Sequence, residues 1–114
     1  MAARCLTILG TSAWADAIGR TAPENTMVSR VFSGRPARGI ANAYARAATS
    51  PSAPPAAPYP VQRGLTQAMR DAAVKDNDAE RMQAWAGQSA SLTKAIPAGE
   101  VVRRLWEDAQ ALLT

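Results

Sequence analysis

Five of the chain's eight prolines fall between Thr49 and Pro60, in the stretch TSPSAPPAAPYP. Each proline fixes its own φ, removes a backbone donor and pushes the residue before it toward extended geometry. Neither a helix nor a central strand can run through such a segment. It must be extended and largely polyproline-like, and it divides the chain into three parts: 1–48, 49–60 and 61–114. As a linker or surface crossing the segment has no chemistry of its own. As a rigid strap across a pocket it would aim Tyr59, which is held between Pro58 and Pro60. The residues leave both readings open.

Before the crossing, Cys5-Leu6-Thr7-Ile8-Leu9 has the content of a short strand closed by Gly10. Thr11 or Ser12 can cap a short helix that runs to about Ile18 and ends at Gly19. Trp14 and Ile18, four apart, share a helical face. Thr26 to Phe32 is apolar and β-branched enough for a strand. Ser33-Gly34 then makes a turn, and Arg35-Pro36 suits the start of a helix, since proline is at home in a first turn. That helix is expected to reach about Ala48, with Ile40 and Tyr44 on its apolar stripe and Asn42 and Arg46 on its polar side. Ser33, Gly34 and Arg35 are candidates for an anion-holding turn, with backbone N–H groups and a guanidinium converging. The plainer reading is a connector with Arg35 in a structural ion pair.

After the crossing the sequence reads as three helices. The first covers about Leu65 to Lys75, with Leu65, Met69 and Ala72 or Ala73 inward. Asn77 opens the second, with Glu80 three residues on as a weak capping box. Met82, Trp85, Ser89 and Leu92 form its inward stripe, which passes Gly87, a residue costing about 1 kcal/mol in a helix interior relative to alanine. Gly87 therefore marks either a tolerated defect or close approach by a backbone or ligand. Pro97 starts the last helix, Ala98 to about Leu113. Its apolar set is Val101, Val102, Leu105, Trp106, Ala109, Leu112 and Leu113, at helical spacing. The fold class expected is mainly α with one short strand.

Little bulk is available to pack these helices. Leu, Ile, Val and Phe make up 18 of 114 residues, about 16%, below the roughly 20% at which core formation becomes doubtful. The chain is thus expected to pack on something larger. A pI near 10 suggests nucleic acid. The basic residues, however, are interleaved with acids in KDNDAER and RRLWED instead of forming one basic face, so no nucleic-acid partner is expected. A single cysteine excludes an intrachain disulfide and a cysteine zinc cluster, and the absence of histidine excludes a His-based acid/base pair within this chain. No metal site is expected. No apolar run approaches the ~20 residues of a membrane span, and MAARCLTILG is too short in its apolar part for a signal peptide. The expected setting is cytoplasmic, with no membrane partner.

Four blocks in one order carry a family resemblance: TAPENTMVSRVFSGRPARG (21–39), PYPVQRGLTQAMRDAA (58–73), MQAWAGQSASLTK (82–94) and PAGEVVRRLWEDAQ (97–110). Together they resemble the C-terminal part of the nitronate monooxygenases, once called 2-nitropropane dioxygenases. The likeness is poor over residues 1–10. There Leu6-Thr7-Ile8 follows Cys5 where the family usually continues with an acidic residue, which suggests a misplaced start or a frame change.

The resemblance implies an FMN-binding (β/α)₈ barrel with an added helical region. This chain would hold that region and the last barrel helix, an incomplete fold. It implies FMN as cofactor, with the main binding loops and a histidine near the flavin lying upstream of residue 1. The implied reaction is oxidation of an alkyl nitronate by O₂ to a carbonyl compound and nitrite. Tyr59 in PYP and Gln88 in WAGQ become candidates for the substrate pocket, and Gly87 for cofactor binding. No catalytic residue is assigned within this chain, which is expected to be inactive without the barrel portion. Arg63 and Gln67 stand near where some relatives carry a further tyrosine and lysine, which implies that this chain belongs to a different branch or has altered contacts there. Trp85 and Trp106 would pack against the barrel. A competing function is a non-catalytic helical interaction module that binds through the Trp106 face.

Overall fold

A computed structural model describes residues 12–113; the strand expected at 5–9 lies outside them. In chain order the elements are α1 (Ser12–Arg20), a 3₁₀ turn (Pro23–Asn25), β1 (Thr26–Ser29), β2 (Ala37–Ile40), α2 (Ala43–Ala48), α3 (Val61–Leu65), α4 (Gln67–Lys75), a 3₁₀ turn (Ala90–Leu92) and α5 (Ala98–Leu113).

Two expectations fail, both because tertiary pairing overrides local preference. The first is the helix expected from Pro36. Residues 37–40 are a second strand instead, antiparallel to β1, with Thr26 opposite Ile40 and Ser29 opposite Ala37. Gly39 explains much of this. A Cβ there would sit 2.7 Å from the Ala84 carbonyl oxygen, so only glycine lets the later segment close on β2. That segment pairs in turn: the Ile40 N–H donates to the Ala84 carbonyl at 2.8 Å, and Gly39 bridges Trp85. The helix that follows is only six residues long.

The second failure is the helix expected from Asn77. Asn77 has φ 55°, in the left-handed region, and closes α4 instead of opening a new helix. Its N–H donates to the Val74 carbonyl and the Asp78 N–H to the Ala73 carbonyl, which is the paired closure of a Schellman motif. Beyond it the chain is extended. Met82 and Ala84 are buried, with Gln83 partly and Trp85 largely exposed between and after them, a period of two instead of 3.6. Met82 does face inward as expected; Trp85, at 44%, and Leu92, at 77% exposure, do not. Leu65 is likewise 72% exposed, and Ala73 is the buried residue of α4. α1 extends one residue past Gly19, and Trp14 joins Ile40 against a small core of Ala73, Met82 and Ala84.

Asn42, expected on a polar face, is almost fully buried. Its Oδ1 accepts from the Ala45 N–H and caps α2, while its Nδ2 donates to the carbonyls of Ala79 and Met82 at 2.8 and 2.7 Å. Glu80, expected in a capping box of its own segment, accepts from the Ala43 N–H and so serves α2. Asn77 works similarly across the chain: its Oδ1 accepts from the Ala13 N–H and its Nδ2 donates to Ser12 Oγ. Replacing Asn42 with alanine removes a cap and takes the side-chain donor from the Ala79 carbonyl and from that of Met82, which keeps only the Ala84 N–H. Asn42→Ala is expected to lower unfolding free energy by about 2–3 kcal/mol in urea titration. A loss below about 0.5 kcal/mol, the range of an ordinary surface change, would contradict this role.

Candidate functional site

The hairpin between β1 and β2 ends in residues 30–36, and the rest of the site gathers on it. The Gly34 N–H donates to the Arg30 carbonyl at 2.8 Å, and Arg30 Nη1 donates back to the Gly34 carbonyl at 3.1 Å. The Arg35 N–H donates to Ser33 Oγ at 3.2 Å. Two carbonyls at the start of the turn accept from later elements. Val31 takes Gln62 Nε2 at 2.7 Å and the Tyr44 hydroxyl at 3.2 Å, and Phe32 takes Thr66 Oγ1 at 2.6 Å. Burial pushes the Tyr44 phenol above its ordinary value, and its ring packs on Phe32 with centroids 5.0 Å apart. The neutral phenol's contribution to stability is therefore complete below the unfolded value and lost as pH climbs through the raised one.

The proline-rich crossing lies directly against this turn. Gln62 Oε1 accepts from the Ala57 N–H at 2.9 Å, so one side chain ties the crossing to β1. Gly34 has φ +90°, and a Cβ on it would lie 2.4 Å from the Tyr59 nitrogen and 2.7 Å from the Ala57 carbonyl oxygen. The segment is thus a strap and not a free linker. Its Tyr59 ring receives the Arg35 guanidinium at 4.0 Å from the centroid.

Four of the sequence candidates, Ser33, Gly34, Arg35 and Tyr59, are therefore brought together. The structural ion pair considered for Arg35 is absent among the described residues; its partner is an aromatic face. Gly87 and Gln88 are exposed in an irregular stretch, and a Cβ on Gly87 would meet nothing within 4 Å. No backbone approaches Gly87 closely, and the penalty for a glycine in a helix interior does not apply. Gln62 and Thr66, which fix the strap and turn, escaped the sequence reading because nothing local marks a side chain that bonds 31 or 34 residues away.

Beside the turn is a small cleft of about 20 Å³, with Met27, Ser29, Ser33, Arg35, Gln83 and Trp85 on its walls. The described residues do not form a flavin cradle. Gly87 stands in open space, no phosphate-binding glycine loop is present, and no buried side-chain polar atom is left without a partner. Among them no cluster of three metal-ligating side chains occurs, and no helix is long and apolar enough to cross a membrane.

A helix-rich chain with a two-stranded hairpin and a strap on its turn has a solved counterpart. The crystal structure of a nitroalkane oxidase from Streptomyces ansochromogenes superposes with a TM-score of 0.74 at 36% identity, over 90% of this chain and 30% of that one. The nitronate monooxygenase family model matches residues 11–108. The chain is 33% identical over 97 residues to a nitronate monooxygenase of Pseudomonas aeruginosa, covering 85% of this chain and 28% of that protein. It is 36% identical over 90 residues to a probable nitronate monooxygenase of Staphylococcus haemolyticus, covering 79% and 25%. This chain belongs to the nitronate monooxygenase family, a family of oxidoreductases. It spans about a quarter of the length of the relatives it matches.

Gly34→Ala tests the clamp. The new methyl would meet backbone, which cannot swing aside, in a conformation that already disfavours a side chain. The substitution is expected to cost about 2–4 kcal/mol in denaturant unfolding and to alter the near-ultraviolet signal of Tyr59. A neutral Gly34→Ala would mean that strap and turn do not touch.

Proposed function

We propose that the chain serves an FMN-dependent nitronate monooxygenase, which oxidises alkyl nitronates with O₂ to a carbonyl compound and nitrite. Within it the chain corresponds to the helical region that follows the barrel, together with the last barrel helix. The observation that carries this reading is the family match across residues 11–108. The exposed apolar side of α5 supports it: Val102 is 67%, Leu105 66% and Trp106 64% exposed, along an amphipathic helix of 16 residues. Surface of that kind on one helix is what a larger body would cover. FMN, when bound, supplies the redox chemistry. The residues described here do not fit it as a cradle, so the flavin is assigned to the barrel portion.

The chain's own part is then to wall the substrate pocket. Tyr59 stands on a strap that two prolines and Gln62 hold in place, so little side-chain freedom is lost when substrate meets it. Gln88, exposed in this chain, would face the flavin side in the presence of the barrel. A second reading, a non-catalytic module that binds through Trp106, is favoured by the same exposed face of α5.

Nitrite release from an alkyl nitronate separates these readings. The purified chain with added FMN is expected to release none. A chimera in which this chain replaces its matched segment in the Pseudomonas aeruginosa relative is expected to release nitrite, and Tyr59→Phe in it to raise KM several-fold. A folded, flavin-loaded chimera without activity would overturn the catalytic reading and favour the interaction module. Activity of the isolated chain would overturn the assignment of flavin to the barrel portion.

A further inference from the structure

Among the described residues nothing covers the apolar side of α5. None of its sixteen residues is buried, and no other helix or strand is packed along it. The spacing on that side is specific. Ala98, Val102, Leu105, Ala109 and Leu112 follow one another at steps of four, three, four and three. That is the a/d pattern of a two-helix seam.

Turned end for end about Glu107, this seam meets itself. Val102 comes opposite Leu112 of a second copy, and Leu105 opposite Ala109. The central layers then pair a large residue with a small one, and Trp106 lies beside its own counterpart. A parallel pair in register would set Ala109 against Ala109 and leave a gap. Charge makes the same choice. Glu100 is bonded by both Arg103 and Arg104, whereas Asp108 is in none of the ion pairs among the described residues. In the antiparallel pair Arg104 of one copy is offset from Asp108 of the other by two residues, a rise of about 3 Å. Arg104 can turn to it while Glu100 keeps Arg103. In the parallel pair each Asp108 would instead stand level with the other Asp108, and each Arg104 with the other Arg104.

We infer that α5 docks a second copy of this chain, antiparallel and centred on Glu107. A seam of two heptads falls short of the ~1,600 Å² of a standard interface, so the dimer is reversible and concentration-dependent. This inference rests on neither reading of the function. A barrel portion lying on α5 would occupy the same surface, so the dimer is a property of the 114-residue chain by itself.

The first test reads the geometry. With Cys5 replaced by serine, Leu105→Cys and Ala109→Cys chains are mixed in equal amounts and equilibrated in a glutathione redox buffer, and the disulfides are counted by mass spectrometry. The mixed 105–109 disulfide is expected to exceed each same-site disulfide about fivefold or more, against the twofold of random collision. The second test reads mass. Sedimentation equilibrium of the parent chain should show 12.0 kDa rising toward twice that between about 10 µM and 1 mM. Leu105→Asp should hold the mass at the monomer value. It replaces an exposed residue, so the body keeps its fold, which circular dichroism checks. Asp108→Arg should weaken the dimer several-fold at low salt and by less at high salt.

A parent chain that stays monomeric at about 1 mM overturns the inference and leaves the face to the barrel portion. A dimer whose disulfides form at random or at like sites, or one that Leu105→Asp leaves unchanged, overturns it as well. None of these results bears on nitrite release by the chimera, so the two proposals fail separately.

Discussion

The carbonyls of Val31 and Phe32 hold this structure together at the point where it has least bulk to do so. They accept from Gln62, Tyr44 and Thr66, side chains that sit on three separate helices or helix ends. The bonds from Gln62 and Thr66 span the gap in sequence that the proline-rich strap would otherwise leave open. The buried apolar set is small, Val31, Ala45, Ala73, Met82, Ala84 and Ala90, and mostly alanine. Packing of that size cannot orient five helices alone, so directional bonds to backbone supply what dispersion does not. The radius of gyration, 16.4 Å against about 13–14 Å for a compact chain of this length, reflects the same shortage.

The strap follows from these bonds. Once Gln62 is fixed on Val31, its other amide atom receives Ala57, and the extended segment has one place to lie. Gly34 makes that place available by having no Cβ. Tyr59 then lands on Arg35, and a turn that is only a connector in isolation becomes the wall of a cleft. Backbone geometry, a tethered strap and an unpaired cation are thus consequences of one arrangement and not separate features.

Much of the site was legible in the sequence, and the reason is chemical. Ser-Gly-Arg after a strand, and Pro-Tyr-Pro after an extended run, constrain the backbone so tightly that their positions are nearly local properties. The helical stripe of α5 was legible because sixteen residues average out individual exceptions. What could not be read were pairings that depend on distant partners. Ala37 to Ile40 is a strand because β1 and Ala84 are beside it, and Gly39, which nothing local marks, is where another backbone approaches closely. Met82 to Trp85 looked helical because Met82, Trp85, Ser89 and Leu92 happen to fall at helical spacing. The alternation of Met82 and Ala84, only two residues deep, was too short to outweigh it. Asn42 resembled a surface residue because a buried asparagine is intelligible only with its three backbone partners in view.

On the function proposed above, the chain is one wall of a pocket whose cofactor the barrel portion holds. Equilibrium dialysis of the purified chain against FMN addresses that division of labour directly. No saturable binding is predicted, because open space at Gly87 and an exposed Gln88 make no phosphate cradle. Stoichiometric, saturable uptake of FMN by this chain alone would contradict the account and place the flavin site within these residues.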